Sequence, residues 1–403
     1  MGLFSYIKLG SITSPKGFIA FGDNVGIKKR KLDASLIYSK EPCVAAAMFT
    51  QNKAKAWPVL YCLKAIKNKV HKAILCNSGN ANCFNGDIGE KTVKDSVKEL
   101  SKQLNVSSKE ILVCSTGVIG RAFPLKIFLK GISKLVKGLS RKGSHSAAEG
   151  ILTTDKLTKE LAIEMTLSGK KVRVGAIAKG AGMVHPNMAT MLCFITTDLN
   201  IQKTLLQAAL KEAVSKTFNR IAIDNDMSTN DTVIALANGL AGNKKITSKN
   251  SSYEKLVLAL SDLCKQIAFK LVDDGEGVTH VCDIHVEKAS SEKKAEAFAR
   301  QVGNSMLVKT MLTGADPNWG RVIGALGAVG QAIKWEKLEI YFDKHRIFKQ
   351  GHGENKNLAK VKKILKKKHY SLRIVLNEGR QSASFLTSDL TSKYVRINSA
   401  YTT

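Results

Sequence analysis

Proline is scarce, 6 in 403 residues, and glycine stands at an ordinary 31. A collagen-like or Pro-rich extended chain is thereby excluded. Aromatic residues make up only 6%, which leaves little of the stacking surface that single-stranded nucleic-acid binders use. No run of about 18 apolar residues occurs anywhere in the chain, and this excludes a membrane-spanning helix. The opening MGLFSYIKLGSITSPKGF has no long apolar stretch ahead of a small-residue cleavage site, so we expect no secretory signal. It also lacks the Arg/Ser-rich texture of a transit peptide, and Tyr6 stands where N-myristoylation needs Ser or Thr. A cytoplasmic protein without membrane association is the expectation.

The eight cysteines (Cys43, Cys62, Cys76, Cys83, Cys114, Cys193, Cys264, Cys282) contain no CxxC pair, and most lie in apolar runs. Buried, reduced thiols fit that pattern. The histidines form no HExxH or zinc-finger spacing. In HVCDIH, alternation puts His280, Cys282 and Ile284 on one face, which reads as a strand rather than a metal site. Neither a metal nor an organic cofactor is expected.

Acidic residues are also few: 33 Asp+Glu against 63 Lys+Arg leave a net charge of +30. Runs such as GIKKRK (26–31) and KVKKILKKKHY (360–370) invite a nucleic-acid reading. Lysine is nevertheless spread over the whole chain, and no RNP, KH, zinc-finger or Gly-rich phosphate motif accompanies it. The charge is read as a solvated exterior, and no specific nucleic-acid partner is expected.

At 44% hydrophobic and 24% charged the chain is globular, with room for about two or three domains. Short apolar stretches at 43–49, 73–77, 111–114, 172–179 and 192–197 read as buried strands. Segment 90–104 carries Val93, Val97, Leu100 and Leu104 at helical spacing, 202–218 repeats the pattern, and 253–271 reads as a third helix. Near residue 281 the texture changes, which places a domain boundary there: a large domain 1–280 and a smaller one 281–403. The latter is expected to hold a helix over 315–333, whose Gly320, Gly324 and Gly327 would admit a close neighbour, followed by basic hairpin-like segments.

The most unusual stretch is KGAGMVHPNMATMLCFITTD, residues 179–198, where a strand ends at Lys179, a Gly/Pro turn follows, and Thr190 heads the next strand. Taken alone it is a loop with a β-branched residue entering a sheet. It resembles the self-cleavage site of the ornithine acetyltransferases, the bifunctional glutamate N-acetyltransferase/ornithine acetyltransferase family of arginine biosynthesis. Further segments match that family in order: GFIAFGDNVGIKKRKLD (17–33), NSGNANCFNG (77–86), CSTGVIG (114–120), ILTTDKLTK (151–159), IDNDMSTNDTV (223–233), DDGEGVTH (273–280), LVKTMLTGADPNWGRV (307–322) and the terminal SDLTSKYVRINSAYTT. Departures are Ala181 for the usual Ser, Asn225 and Met227 in the DGDTSTND-like motif, and Ala400 at a commonly acidic position.

The resemblance implies an α/β fold, an αββα sandwich with a smaller C-terminal domain. It implies autocatalytic cleavage between Ala189 and Thr190, giving chains 1–189 and 190–403 that assemble as an α2β2 heterotetramer. Thr190 would be the nucleophile, with Thr116 and Gly117 forming the oxyanion hole. Thr153, Lys179, Glu276, Asn398 and Thr403 would bind substrate, Lys179 taking a carboxylate and Glu276 an ammonium. The reaction implied is acetyl transfer from N-acetylornithine to glutamate, with acetyl-CoA as a second donor left open. Two alternatives stand beside it: an amidase or aminopeptidase of the related N-terminal-nucleophile group, and a basic nucleic-acid-binding protein without catalysis.

Overall fold

A computed structural model describes residues 3–184 and 191–400. Up to residue 280 the chain runs through β1 (Ser5–Tyr6), β2 (Phe18–Asp23), β3 (Ala34–Phe49), α1 (Trp57–Ala65), β4 (His71–Asn80), α2 (Asp87–Leu104), β5 (Ile111–Val118) and α3 (Leu125–Gly138). It continues through α4 (Ser144–Gly150), β6 (Lys159–Leu167), β7 (Lys170–Lys179), β8 (Leu192–Thr197), α5 (Lys203–Lys216), β9 (Ile221–Ala222), β10 (Thr232–Ala237) and α6 (Ser251–Asp273). The remainder comprises β11 (Val281–Ala289), α7 (Glu292–Asn304), α8 (Met306–Thr313), α9 (Trp319–Gly327), β12 (Glu339–Phe342) and β13 (His345–Lys349). Last come β14 (His352–Gly353), α10 (Leu358–Leu365), β15 (His369–Val375), β16 (Gln381–Ser388) and α11 (Ser392–Ala400).

The strands β7, β8 and β10 are apolar on both faces because each face meets a different core. Cys193 and Ile195, with Val233, Ala235 and Ala237, pack against the apolar sides of α5 and α6. Leu192 and Phe194, with Ile177, Ile234 and Leu236, turn the other way onto residues of β3, β4 and β5. Period-two alternation with no polar side is what a sheet covered on both faces requires. Beyond β4 and β5 lie α2, through Val93, Val97 and Leu100, and α3, through Phe128, Ile132 and Leu135. The layers are therefore helix, sheet, sheet, helix.

Among the described residues the strand order is β1-β6-β7-β8-β10-β3-β4-β5, with β2 added to β3. The long β3 joins the two layers. Its first half pairs with β2 and β4, and its second half with β10. Lys40, Glu41 and the intervening register shift mark the crossing. The sequence pattern marks only 43–49 as strand because these exposed charges interrupt the apolar run.

A second sheet, β14-β13-β12-β15-β11-β16-β9, encloses a separate core around Ile284, Phe298, Phe342 and Phe385. All of its strands but β9 follow residue 280. Here two expectations are corrected. The helix expected over 315–333 spans only Trp319–Gly327: Ala315 adopts a left-handed φ of +47°, the Asn318 side chain caps the Arg321 N–H, and Gly330 turns the chain with φ +72°. No element approaches Gly324 or Gly327, and the nearest atom to a Cβ on Gly320 is Asn318 Oδ1 at 3.2 Å, so the close neighbour is absent among the described residues. The terminal part is also not all hairpins, since α10 and α11 interrupt it. In the basic run, Val361, Ile364 and Leu365 are buried, while Lys362, Lys363, Lys366, Lys367 and Lys368 are exposed.

All eight cysteines are buried and unbonded. Burial raises their thiols, that of Cys62 to about 12, so they behave as apolar side chains. Cys282 and Ile284 share the second core, as strand alternation requires. Among the described residues no helix is long and apolar enough to cross a membrane.

Candidate active site

β7 and β8 are antiparallel neighbours whose last pair is Lys179 with Leu192, so the connection between them leaves and returns at one end of the sheet. Thr190 and Ala189 in that connection, and Thr403, lie outside the described residues. Its described ends are held by carboxylates, those of Asp155 and Asp231 buried and that of Asp224 half-buried. Gly180 N–H donates to Asp155 Oδ1 at 2.7 Å, and Met183 and Val184 N–H donate to the two oxygens of Asp224 at 2.6 and 2.7 Å. On the return, Met191 N–H donates to Asp231 Oδ1 at 3.0 Å. Each carboxylate accepts backbone N–H groups that the turn leaves without strand partners.

Six residues singled out from the sequence, Thr116, Gly117, Thr153, Lys179, Glu276 and Asn398, line one cavity of about 290 Å³. They come from β5, the loop after α4, the end of β7, the loop after α6, and α11. Gly117 has φ +131°, and a Cβ there would lie 2.4 Å from the Gly79 carbonyl carbon of the parallel neighbour β4. Only glycine fits that strand pair.

Lys179 is 3% exposed. Its ammonium donates to Thr153 Oγ1 at 2.7 Å and Thr116 Oγ1 at 3.4 Å, and stands 3.8 Å from Asp155 Oδ2. Asp155 is shared: Lys159 reaches its Oδ1 at 2.7 Å and Asp274 Oδ2 at 2.6 Å. Burial alone would raise the Asp155 carboxyl, but the Lys179 and Lys159 ammoniums and the Gly180 N–H hold it well below the usual carboxylate range. Two lysines and two aspartates thus balance inside the fold, with Lys179 at the face that meets the cavity.

Glu276 is 7% exposed and accepts a hydrogen bond from Asn398 Nδ2 at 2.8 Å. Its own N–H donates to the Ala181 carbonyl at 2.8 Å, and a Cβ on Gly182 would come 2.6 Å from its carboxyl group. Gly277, with φ +72°, lets α11 approach, since a Cβ there would meet Tyr394 N at 2.4 Å.

Among the lining residues that escaped the sequence reading, three tie the site together. Asp224 grips the connection and takes a hydrogen bond from Tyr394 at 3.1 Å, and burial raises its carboxyl above the ordinary range. Tyr394 itself carries α11 onto the site. Asn230 donates to the Ala81 and Ser115 carbonyls at 2.8 Å each, tying β5 to the loop before β10. All three lie inside quoted motifs, but their partners are distant in sequence.

The arrangement places an ammonium and a carboxylate in one small polar cavity with hydroxyls and amides between them. That suits a ligand carrying both charges, and the volume is at the small end of ligand sites.

A family model described as ArgJ matches residues 20–403. The chain is 43% identical over 396 residues to the arginine biosynthesis bifunctional protein ArgJ 1 of Clostridium acetobutylicum, covering 97% of each chain. It is 39% identical over 398 residues to the arginine biosynthesis bifunctional protein ArgJ of Bacillus thuringiensis subsp. konkukian, covering 98% of each. Among solved structures, ornithine acetyltransferase complexed with ornithine from Mycobacterium tuberculosis is 30% identical, with a TM-score of 0.42, over 45% of this chain and 98% of that one.

Proposed function

The chain belongs to the ArgJ family and is an acetyltransferase of arginine biosynthesis, and we propose that it moves acetyl from N-acetylornithine to glutamate through Thr190. The observation that carries this reading is the pairing of buried Lys179 and Glu276 across one cavity with Thr116, Gly117, Thr153 and Asn398. Both substrates are amino acids or their N-acyl derivatives, so each offers a carboxylate for Lys179, and ornithine adds an ammonium for Glu276.

Cleavage between Ala189 and Thr190 supplies the base that a threonine hydroxyl needs. The freed α-amino group, with an ordinary pKa of about 7.7–8.0, takes the hydroxyl proton within the same residue. The hydroxyl then attacks the acetyl carbonyl. Donors at Thr116 and Gly117 stabilise the tetrahedral oxyanion, ornithine leaves, and glutamate takes the acetyl group from the threonine ester. Before maturation the same hydroxyl would attack the Ala189 carbonyl, giving an ester that water resolves. The fixing of Gly180, Met183, Val184 and Met191 at the cavity supports this use of the connection.

The same reading divides the chain into domains 1–280 and 281–403, gives mature chains 1–189 and 190–403 in an α2β2 assembly, and sets the reaction in the cytoplasm. Thr403 would join the substrate site.

Denaturing electrophoresis with N-terminal sequencing, beside an acetyl-exchange assay, tests the proposal. Active protein is expected as two fragments, the second starting at Thr190, and Thr190→Ala is expected to remain intact and inactive. Activity from an uncut 43.8 kDa chain would overturn it. Net hydrolysis of N-acetylornithine without glutamate acetylation would favour the amidase alternative.

A further inference from the structure

The basic run 26–31, in the loop between β2 and β3, is not all solvated surface. Lys29, Arg30 and Lys31 are exposed, but Lys28 is half-buried. Its ammonium donates to neutral oxygens of three chain segments: the Leu32 carbonyl at 2.9 Å, Ser78 Oγ at 2.6 Å and the Leu152 carbonyl at 2.6 Å. Ser78 gives its own hydroxyl proton to the Gly150 carbonyl at 2.7 Å, so towards Lys28 it accepts. Three acceptors call for three N–H groups, which only the protonated amine has. Burial pushes the Lys28 pKa down to about 8, against the pull of the Asp33 carboxylate and with the Lys179 ammonium nearby. The charged form still predominates at neutral pH.

These contacts converge on the segment between α4 and β6, which carries Thr153 and belongs to no strand. On one side of Thr153, Lys28 holds the Leu152 carbonyl and Ser78 the Gly150 carbonyl. On the other, Asp155 accepts the Thr153 N–H at 3.3 Å and is itself fixed by Lys159 and the Gly180 N–H. Thr153 thus sits between two anchors, and its Oγ1 accepts from Lys179 at 2.7 Å. Lys28 stays behind the wall that Thr153 and Lys179 present to the cavity.

We propose that Lys28 is a positioning residue: by fixing the Leu152 carbonyl it sets the Thr153 hydroxyl and, through it, the Lys179 ammonium that receives a ligand carboxylate. The Leu152 carbonyl shares one rigid peptide plane with the Thr153 N and Cα, so holding that oxygen sets where the Thr153 side chain starts. A segment without ladder hydrogen bonds has few other restraints at this point. The inference deepens the proposed function and rests on it for the nature of the ligand.

Calorimetric titration with L-ornithine, which carries a carboxylate but no acetyl group, reads the effect without turnover. Lys28→Met in the full protein is expected to weaken binding about three- to tenfold, the scale of one hydrogen bond. Thr153→Val removes the hydroxyl through which Lys28 acts, so adding Lys28→Met to it is expected to weaken binding by less than about twofold more. Urea unfolding of the four proteins separates this coupling from lost stability. Where Lys28→Met does not fold, Lys28→Gln, which keeps a shorter neutral donor, carries the same cycle. An equal loss in both backgrounds, or no loss in either, would overturn the proposal, because a lysine that only supports its own loop gives one of these. Acetyl exchange is measured beside the cycle: an unmodified protein that transfers no acetyl while the cycle closes as expected would sink the proposed function and still support the role of Lys28.

Discussion

Replacing Lys179 by Met separates a substrate-holding cation from a purely structural one. The ammonium is buried, hydrogen-bonded to Thr153 at 2.7 Å and more weakly to Thr116 at 3.4 Å. A charge-assisted hydrogen bond to a substrate carboxylate contributes about 1.5–3 kcal/mol, which converts to roughly a 10- to 150-fold rise in KM. The structural cost is smaller than for a broken isolated pair, about 3–5 kcal/mol when a buried charge is left alone. Asp155 keeps Lys159 at 2.7 Å and the Gly180 N–H at 2.7 Å, and loses only the longer 3.8 Å contact. We therefore expect about 1–3 kcal/mol of lost stability, below that range. Steady-state kinetics with N-acetylornithine and with glutamate, beside urea unfolding and electrophoresis, reads all of these. KM should rise for both substrates while cleavage into two fragments continues. KM values within about twofold of the unmodified enzyme, whatever the change in stability, would refute the carboxylate assignment, because that shift corresponds to less than one hydrogen bond.

Gly117→Ala puts a methyl group 2.4 Å from backbone of β4 and forces the proposed oxyanion donor to move. Loss of one such donor lowers kcat by about 10²–10³, with KM little changed, as initial rates would report. Asp155→Asn leaves Lys159 with Asp274 and takes from Lys179 its carboxylate neighbour, and is expected to destabilise the fold by about 3–5 kcal/mol at neutral pH. Because the folded carboxyl of Asp155 lies below its unfolded value of about 3.9, its contribution is full above that pH and disappears as pH falls through the folded value. Denaturant unfolding from neutral pH downwards should show the gap between the two proteins narrowing below about pH 4. A gap that stayed constant into that range would count against the depressed carboxyl.

The sequence by itself determined the local elements and the family. β8 coincides with the apolar run 192–197, α6 extends the expected helix 253–271 by two residues at each end, and β7 ends at Lys179 as read. These follow from hydrophobic periodicity and turn chemistry, which depend on near neighbours only. The length of β3 was not legible, because Lys40 and Glu41 look like a turn and are in fact the exposed crossing between two layers. Nor was the shortness of α9, where a φ at Ala315 and a cap at Asn318 decide the start.

Lys179 and Glu276 stood in matched motifs, yet as single residues their type favours solvent. Only the tertiary structure sets them inside, where Asp155, Lys159 and Asp274 balance the one and Asn398 meets the other. Asp224 and Tyr394 were invisible for the same reason. A charge can be buried only where other chain segments bring compensating partners to it, and those partners are separated by tens to hundreds of residues along the chain. Periodicity assigns a residue to a face of its own element; the packing of several elements decides which charges share one cavity.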